Sequence, residues 1–177
     1  MNDELKERLK SIIARICELT DELGHLQDWD DPHELSRPAT PEQIAQIERV
    51  AGFPLPPDYR AFLELHNGWH EFVGENDILA AEQMTPGAMA DSIADTRSIQ
   101  EENDDPALRG FIINASISGS DIAYIDPATQ RPDGTADVVR WDPRAREYHR
   151  SPSFMAYLEH HVELLQRRIA KERAKLR

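Results

Sequence analysis

Residues 40–68, TPEQIAQIERVAGFPLPPDYRAFLELHNG, carry start and stop signals for two short helices, and they constrain the fold more tightly than any other stretch. Thr40 suits an N-cap, and Pro41 suits the first helical position, where a missing N–H costs nothing. Glu42 and Gln43 place acceptors in the first turn, beside unpaired backbone N–H groups. Ile44, Ile47 and Val50 recur at a spacing of three, on one face. Gly52 can adopt positive φ and close the helix. Pro54 and Pro56 hold an extended link through Phe53 and Leu55. Pro57 and Asp58 open a second helix, with Tyr59, Phe62, Leu63 and His66 on one face. Asn67-Gly68 ends it, since both residues tolerate the left-handed region. The expectation is a helical corner with its apolar faces turned inward.

This corner resembles the opening of the SUKH superfamily, which includes the fungal Smi/Knr cell-wall-assembly regulators and many bacterial immunity proteins. The resemblance is carried by Ile44, Ile47, Glu48, Gly52, Phe53, Leu55, Pro56, Asp58, Tyr59, Phe62, Leu63, Asn67 and Gly68. Later segments agree more weakly. Residues 117–126 (ISGSDIAYID) resemble the family's glycine-containing strand, residues 138–142 (VVRWD) its next strand, and residues 153–158 (SFMAYL) its closing helix. The resemblance implies that Gly52, Pro54, Leu55, Pro56, Asp58, Tyr59, Phe62, Asn67 and Gly68 are structural. It also implies a protein-binding role rather than catalysis.

The chain divides into three parts: residues 1–37, a SUKH-like domain over 38–165, and a basic tail over 166–177. Leu5, Leu9, Ile12, Ile13, Ile16, Leu19, Leu23 and Leu26 recur at helical spacing, which predicts an amphipathic helix over 3–26, ended by Gly24 or the run after it. Its apolar stripe must be covered, either by the domain or by a second chain. A homo-oligomer through this helix is therefore one expectation. Residues 27–38 read as a linker or ordered loop. Strands are predicted at 76–84, 111–114, 121–126 and 138–141, with another around Tyr148. Met89, Ile93 and Ile99 suggest a loose helix inside a long loop. Ser151 or Ser153 caps a long final helix, with Phe154, Tyr157, Leu158, His161, Val162, Leu165 and Ile169 on one face. Past Gln166 this helix is expected to project into solvent. The predicted class is α+β: an antiparallel-rich mixed sheet with helices packed on one side, flanked by the extra N-terminal helix and the long C-terminal one.

Charge narrows the partners. The net charge is −13, but the last twelve residues hold six basic side chains and one acid, which leaves −18 on the first 165. Six acids fall in residues 21–34, and ten in residues 71–105 against the single Arg97. Such a surface repels nucleic acid and attracts basic proteins. The basic tail could reach a nucleic acid or a membrane surface, but pairing with the acidic segments competes with both. No apolar run approaches the ~20 residues of a membrane span. The charged N-terminus is unlike a signal peptide. The single Cys17 fits a reducing compartment, so a cytoplasmic location without membrane contact is expected.

Catalytic signatures are weak. His66 and His70 are four apart with Gly68 between them, and His160 and His161 point to different helix faces. No spacing completes a metal site. His66 reads as a core-edge residue and His160 as a solvated one. Ser118-Gly119-Ser120 lacks a nucleophile elbow, and Asp121 and Asp126 only bracket a strand. No cofactor and no metal are expected. Trp69 is either an interface anchor or a core plug. Phe72 and Trp141 read as core, and Trp29 as a staple or a contact.

The leading expectation is a non-enzymatic binding protein that neutralises a cognate bacterial toxin, a nuclease being one candidate, by covering a basic cleft with an acidic surface. The residues expected on that surface are Trp69, Glu71, Glu75, Asp77, Glu101, Glu102, Asp104 and Asp105. The alternative is a regulatory or scaffold module, like the cell-wall-assembly regulators.

Overall fold

The computed structural model describes residues 2–28, 33–74, 76–84, 94, 97–98, 101–102, 110–116, 122–142 and 146–176. Among them the chain runs α1 (Asn2–Gln27), β1 (Glu34–Leu35), α2 (Pro41–Ala51), α3 (Pro57–Leu65), β2 (Trp69–Val73), β3 (Asn76–Ile78), β4 (Phe111–Ser116), β5 (Ile122–Asp126), β6 (Asp137–Asp142), β7 (Arg146–Ser151) and α4 (Phe154–Lys175). This is the α+β class read from the sequence. The sheet is more regular than expected: seven strands in the order of the chain, with every described pairing antiparallel.

The helical corner forms with two departures. Val50, expected on the inward face, is exposed, because the face of α2 that packs inward is the one carrying Ile44 and Ile47. The helix α3 ends at Leu65, with His66 already extended at φ −146°, ahead of the Asn67-Gly68 signal. The Gln43 N–H donates to Thr40 Oγ1 at 3.2 Å, and the Thr40 N–H donates to Gln43 Oε1 at 2.7 Å. The two donors thus satisfy each other's residues in a capping box. Gly52 closes α2 at φ 77°, its N–H on the Glu48 carbonyl at 2.9 Å.

Two strands were not foreseen. Glu34–Leu35, placed in a linker by the sequence, pairs with Trp69–His70. Trp69–Val73, read as a loop, is the second strand of the sheet. The helix α1 ends in the run after Gly24, the second of the two expected stops: Gly24 itself lies buried inside it, and the turn comes at Asp28, φ 51°.

The helices cover one face of the sheet. Leu9, Ile13, Ile16, Leu19 and Leu23 of α1 join Phe62, Phe154, Leu158, Leu165 and Ile169 in a single core. The stripe on α1 is therefore covered in cis by α4 and α3. Among the described residues, the α1 stripe is not left unpaired, so it supplies no argument for oligomerisation. The end of α4 also departs from expectation. Instead of projecting, it lies along α1, with Ile169 buried and Arg173 Nη2 2.7 Å from Glu22 Oε1. The opposite sheet face has its own apolar cluster of Leu79, Ile112, Ile122, Tyr124, Val139 and Trp141. Trp141 is thus core, as expected.

Candidate functional site

Asp58 ties two helices together. Its Oδ1 accepts the Tyr59 N–H at 3.0 Å, and its Oδ2 accepts the Met155 N–H at 2.8 Å, so one buried carboxylate serves the first turns of α3 and α4. A negative group at two helix N-termini is favoured by both dipoles. The Ser153 hydroxyl takes the neighbouring Ala156 N–H at 3.1 Å. Asp58→Ala would leave two N–H groups without these acceptors, and is expected to cost about 1–3 kcal/mol for each group left unsatisfied. Urea unfolding would show it, and a loss under 0.5 kcal/mol (roughly the scatter of surface substitutions) would argue against this role.

Asn67 and Gly68 clamp the turn after β3. Asn67 Oδ1 accepts the Ala81 N–H at 2.9 Å, and its Nδ2 donates to Glu82 Oε2 at 2.9 Å. Glu82 in turn accepts from Gln43 Nε2 of α2. Gly68, at φ 93°, lies so close to Ile78 and Ala80 that a Cβ would sit 2.8 Å from backbone atoms of both. Glu48 performs a similar service for α2 and α3, accepting from Arg60 Nη1 at 2.6 Å and the Leu55 N–H at 3.4 Å.

These bonds belong to the residues that carry the sequence resemblance, and they place those residues at the joints of one domain. Residues 38–160 match the SMI1 / KNR4 family (SUKH-1). The chain belongs to this family. No individual characterised protein matches it. The SUKH domain here includes α2 through the first turns of α4. The helix α1 and the end of α4 lie outside the match and pack on each other.

The expected partner surface is redistributed by a bulge. Trp69 pairs with Ile78, and Val73 with Asn76, so three residues of β2 face the single Asp77. Glu71 takes a left-handed conformation, φ 49°. Trp69 is 1% exposed and packs on Phe72, ring centroids 4.9 Å apart, so it is a core plug and not a surface anchor. Asp77 is also withdrawn from any partner. It is buried, accepts the Glu71 N–H at 2.7 Å, and lies 3.0 Å from His70 Nδ1. That carboxylate holds His70 charged above its usual range. The physical reason is the bulge itself: the looped-out N–H of Glu71 needs an acceptor, and Asp77 supplies it.

Of the remaining expected contacts, Glu71 is half-buried, while Glu101 and Glu102 are exposed and helical. Glu75, Asp104 and Asp105 lie outside the described residues, as do Trp29, Ser118-Gly119-Ser120, Asp121, Met89, Ile93 and Ile99. Asp126 is engaged by Arg150 at 3.1 Å and caps the turn that follows β5. His66 Nδ1 donates to the Ser36 carbonyl at 3.0 Å, while His70 Nδ1 lies against Asp77. His160, expected in solvent, is half-buried and stacks on His149 at 3.7 Å. Burial, and then His149, lower its pKa. Among the described residues no group of three or more His, Cys, Asp or Glu is arranged for a metal ion. No described helix is long and apolar enough to cross a membrane. Sequence reasoning missed Glu82, whose role as the link from Asn67 to Gln43 appears only once the turn is folded.

Proposed function

We propose that this SUKH protein is a non-enzymatic, cytoplasmic binding module that neutralises a cognate bacterial toxin domain by occluding a basic active-site cleft. The observation that carries the reading is how the polar residues divide. The family-motif groups Asp58, Asn67 and Glu48 are bound internally at the joints of the domain. Meanwhile exposed acids such as Glu101 and Glu102 stand on a chain of net charge −13. Carboxylates of that kind can replace the phosphates a nuclease cleft expects.

The test is affinity purification of the tagged chain from its native host at low salt, with mass spectrometry of the recovered proteins. A stoichiometric partner with a toxin-like C-terminal domain is the expected result. Recovery of envelope or signalling proteins would instead favour a regulatory scaffold. With the partner in hand, Glu101→Lys/Glu102→Lys should weaken binding about tenfold, ~1.4 kcal/mol. The wild-type affinity should also fall as salt is added. Unchanged affinity on both counts would remove these acids from the interface.

A further inference from the structure

Three histidines meet where α4 packs on β6 and β7. Residues two apart in a strand share a face. Val138 belongs to the core under the helices, so Arg140 of β6 stands on the same side. His149 of β7 lies opposite Arg140 in the register and shares that side. There its ring stacks on the ring of His160 from α4, with centroids 3.7 Å apart and planes 11° from parallel. Both residues are half-buried. His161, the next residue of α4, turns into the core. Among the described strands, β7 is the last of the sheet and pairs with β6 alone. Its packing against α4 is therefore part of what holds this edge closed.

The field along this seam is basic. His160 feels His149, Arg167 and Arg140 against Glu163. Glu163 is an exposed side chain already 3.4 Å from Arg167. His161 feels Arg140, His160 and His149, and its ring neighbours Phe72 and Tyr157 carry no charge. Two neutral imidazoles stack without penalty, and a single proton sets a cation against an aromatic face. A second proton places like charges 3.7 Å apart at a half-buried site. The pair therefore titrates as one unit. While the stack is closed, burial and His149 hold His160 below the ordinary 6.5. Once the rings part and water reaches them, free imidazoles take protons at about 6.5. The open form thus binds more protons. The closed form keeps its full advantage above 6.5 and loses it as pH falls from there toward the lowered value.

We propose that the His149–His160 stack is a proton-operated latch, which closes α4 on β7 at neutral pH and, when both rings are protonated, lets the β7 edge part from α4 while the rest of the sheet stays closed. His161 and Arg140 supply the positive surroundings that make the second proton costly. The loss is local because the apolar contacts of α4, through Phe154, Leu158, Leu165 and Ile169, lie in the main core and do not titrate. The latch needs no partner, so it stands or falls separately from toxin neutralisation.

The test uses the full chain, labelled on the histidine rings and backbone nitrogens, and followed by NMR from about pH 7.5 to about pH 5, the range in which imidazoles titrate. The two rings should titrate as a coupled pair and lose their mutual contact below about pH 6. Hydrogen-exchange protection factors in β7 should fall by up to about tenfold per pH unit below about 6.5, while those in β4 and β5 hold. His149→Phe keeps a stacked ring that takes no proton. It should raise the pH at which His160 titrates and cut the fall in β7 to about threefold per unit or less. His161→Phe should leave the β7 response in place, which separates the latch from the acid limb of global stability. Rings still in contact at the acid end, a His160 titration that His149→Phe does not move, or equal loss of protection in β4, β5 and β7 would overturn the proposal. So would a β7 response that survives His149→Phe and disappears in His161→Phe.

Discussion

Replacing Gly68 with alanine is expected to lower the unfolding free energy by about 2–5 kcal/mol, a large share of the 5–15 kcal/mol of an ordinary domain. Two costs combine. A left-handed backbone costs an L residue about 1–2 kcal/mol, and Gly68 sits at φ 93°. The new Cβ would also meet the Ala80 nitrogen and the Ile78 oxygen at 2.8 Å. Those are backbone atoms in and just after β3, so no side chain can swing away, and overpacking of this kind costs about 1–3 kcal/mol. Gly52 supplies the internal control. Its φ is 77°, but nothing lies within 4 Å of its would-be Cβ. Gly52→Ala should therefore show the conformational cost alone, about 1–2 kcal/mol. Urea unfolding of both variants measures the difference. Equal losses would mean that the close approach of the Gly68 backbone to β3 is not what fixes this residue.

That contrast also shows how far the sequence could be read. Caps, prolines and glycines at 40–68 are local signals, and they place both helices of the corner, although α3 stops one residue before His66 and Val50 faces outward. Strands β4, β5 and β6 were legible because FIIN, DIAYID and VVRW are short apolar runs between turns. The strand β2 was not, because its bulge hides the period. Trp69 and Phe72 both face the core yet stand three apart, a spacing that no regular strand produces. The two residues of β1 are too few to show any pattern. The same bulge misled the reading of the surface. Acids at 71 and 77 look alike in sequence, but one is a half-buried side chain in a left-handed turn, and the other is the acceptor that makes the turn possible. The end of α4 looked free because its neighbour, the stripe on α1, lies some 150 residues away in the chain.

His161→Phe is expected to flatten the acid limb of the stability curve. The His161 ring is 4% exposed and wedged edge-on against Phe72 at 4.6 Å and Tyr157 at 4.8 Å, and its Nε2 has no hydrogen-bond partner among the described residues. Burial, reinforced by Arg140 and by His160 and His149, pushes its pKa down to about 3 from the ordinary 6.5. The folded protein therefore keeps this imidazole neutral where the unfolded chain protonates it. Stability is unaffected above 6.5 and is lost as pH falls from there toward 3, at about 1.4 kcal/mol per pH unit. His70 works in the opposite sense. Its raised pKa, caused first by the hydrogen bond to Asp77, contributes stability at acid pH that fades as pH rises through the raised value, so it cannot mimic the acid loss. Phenylalanine keeps the aromatic packing and removes the titrating nitrogen. Urea unfolding of both proteins between pH 7 and pH 4 should give curves that converge at neutral pH and separate below about pH 6, with the variant on top. Parallel curves across that window would mean that His161 accepts its proton without leaving the core, and that the acid limb belongs to the carboxylates.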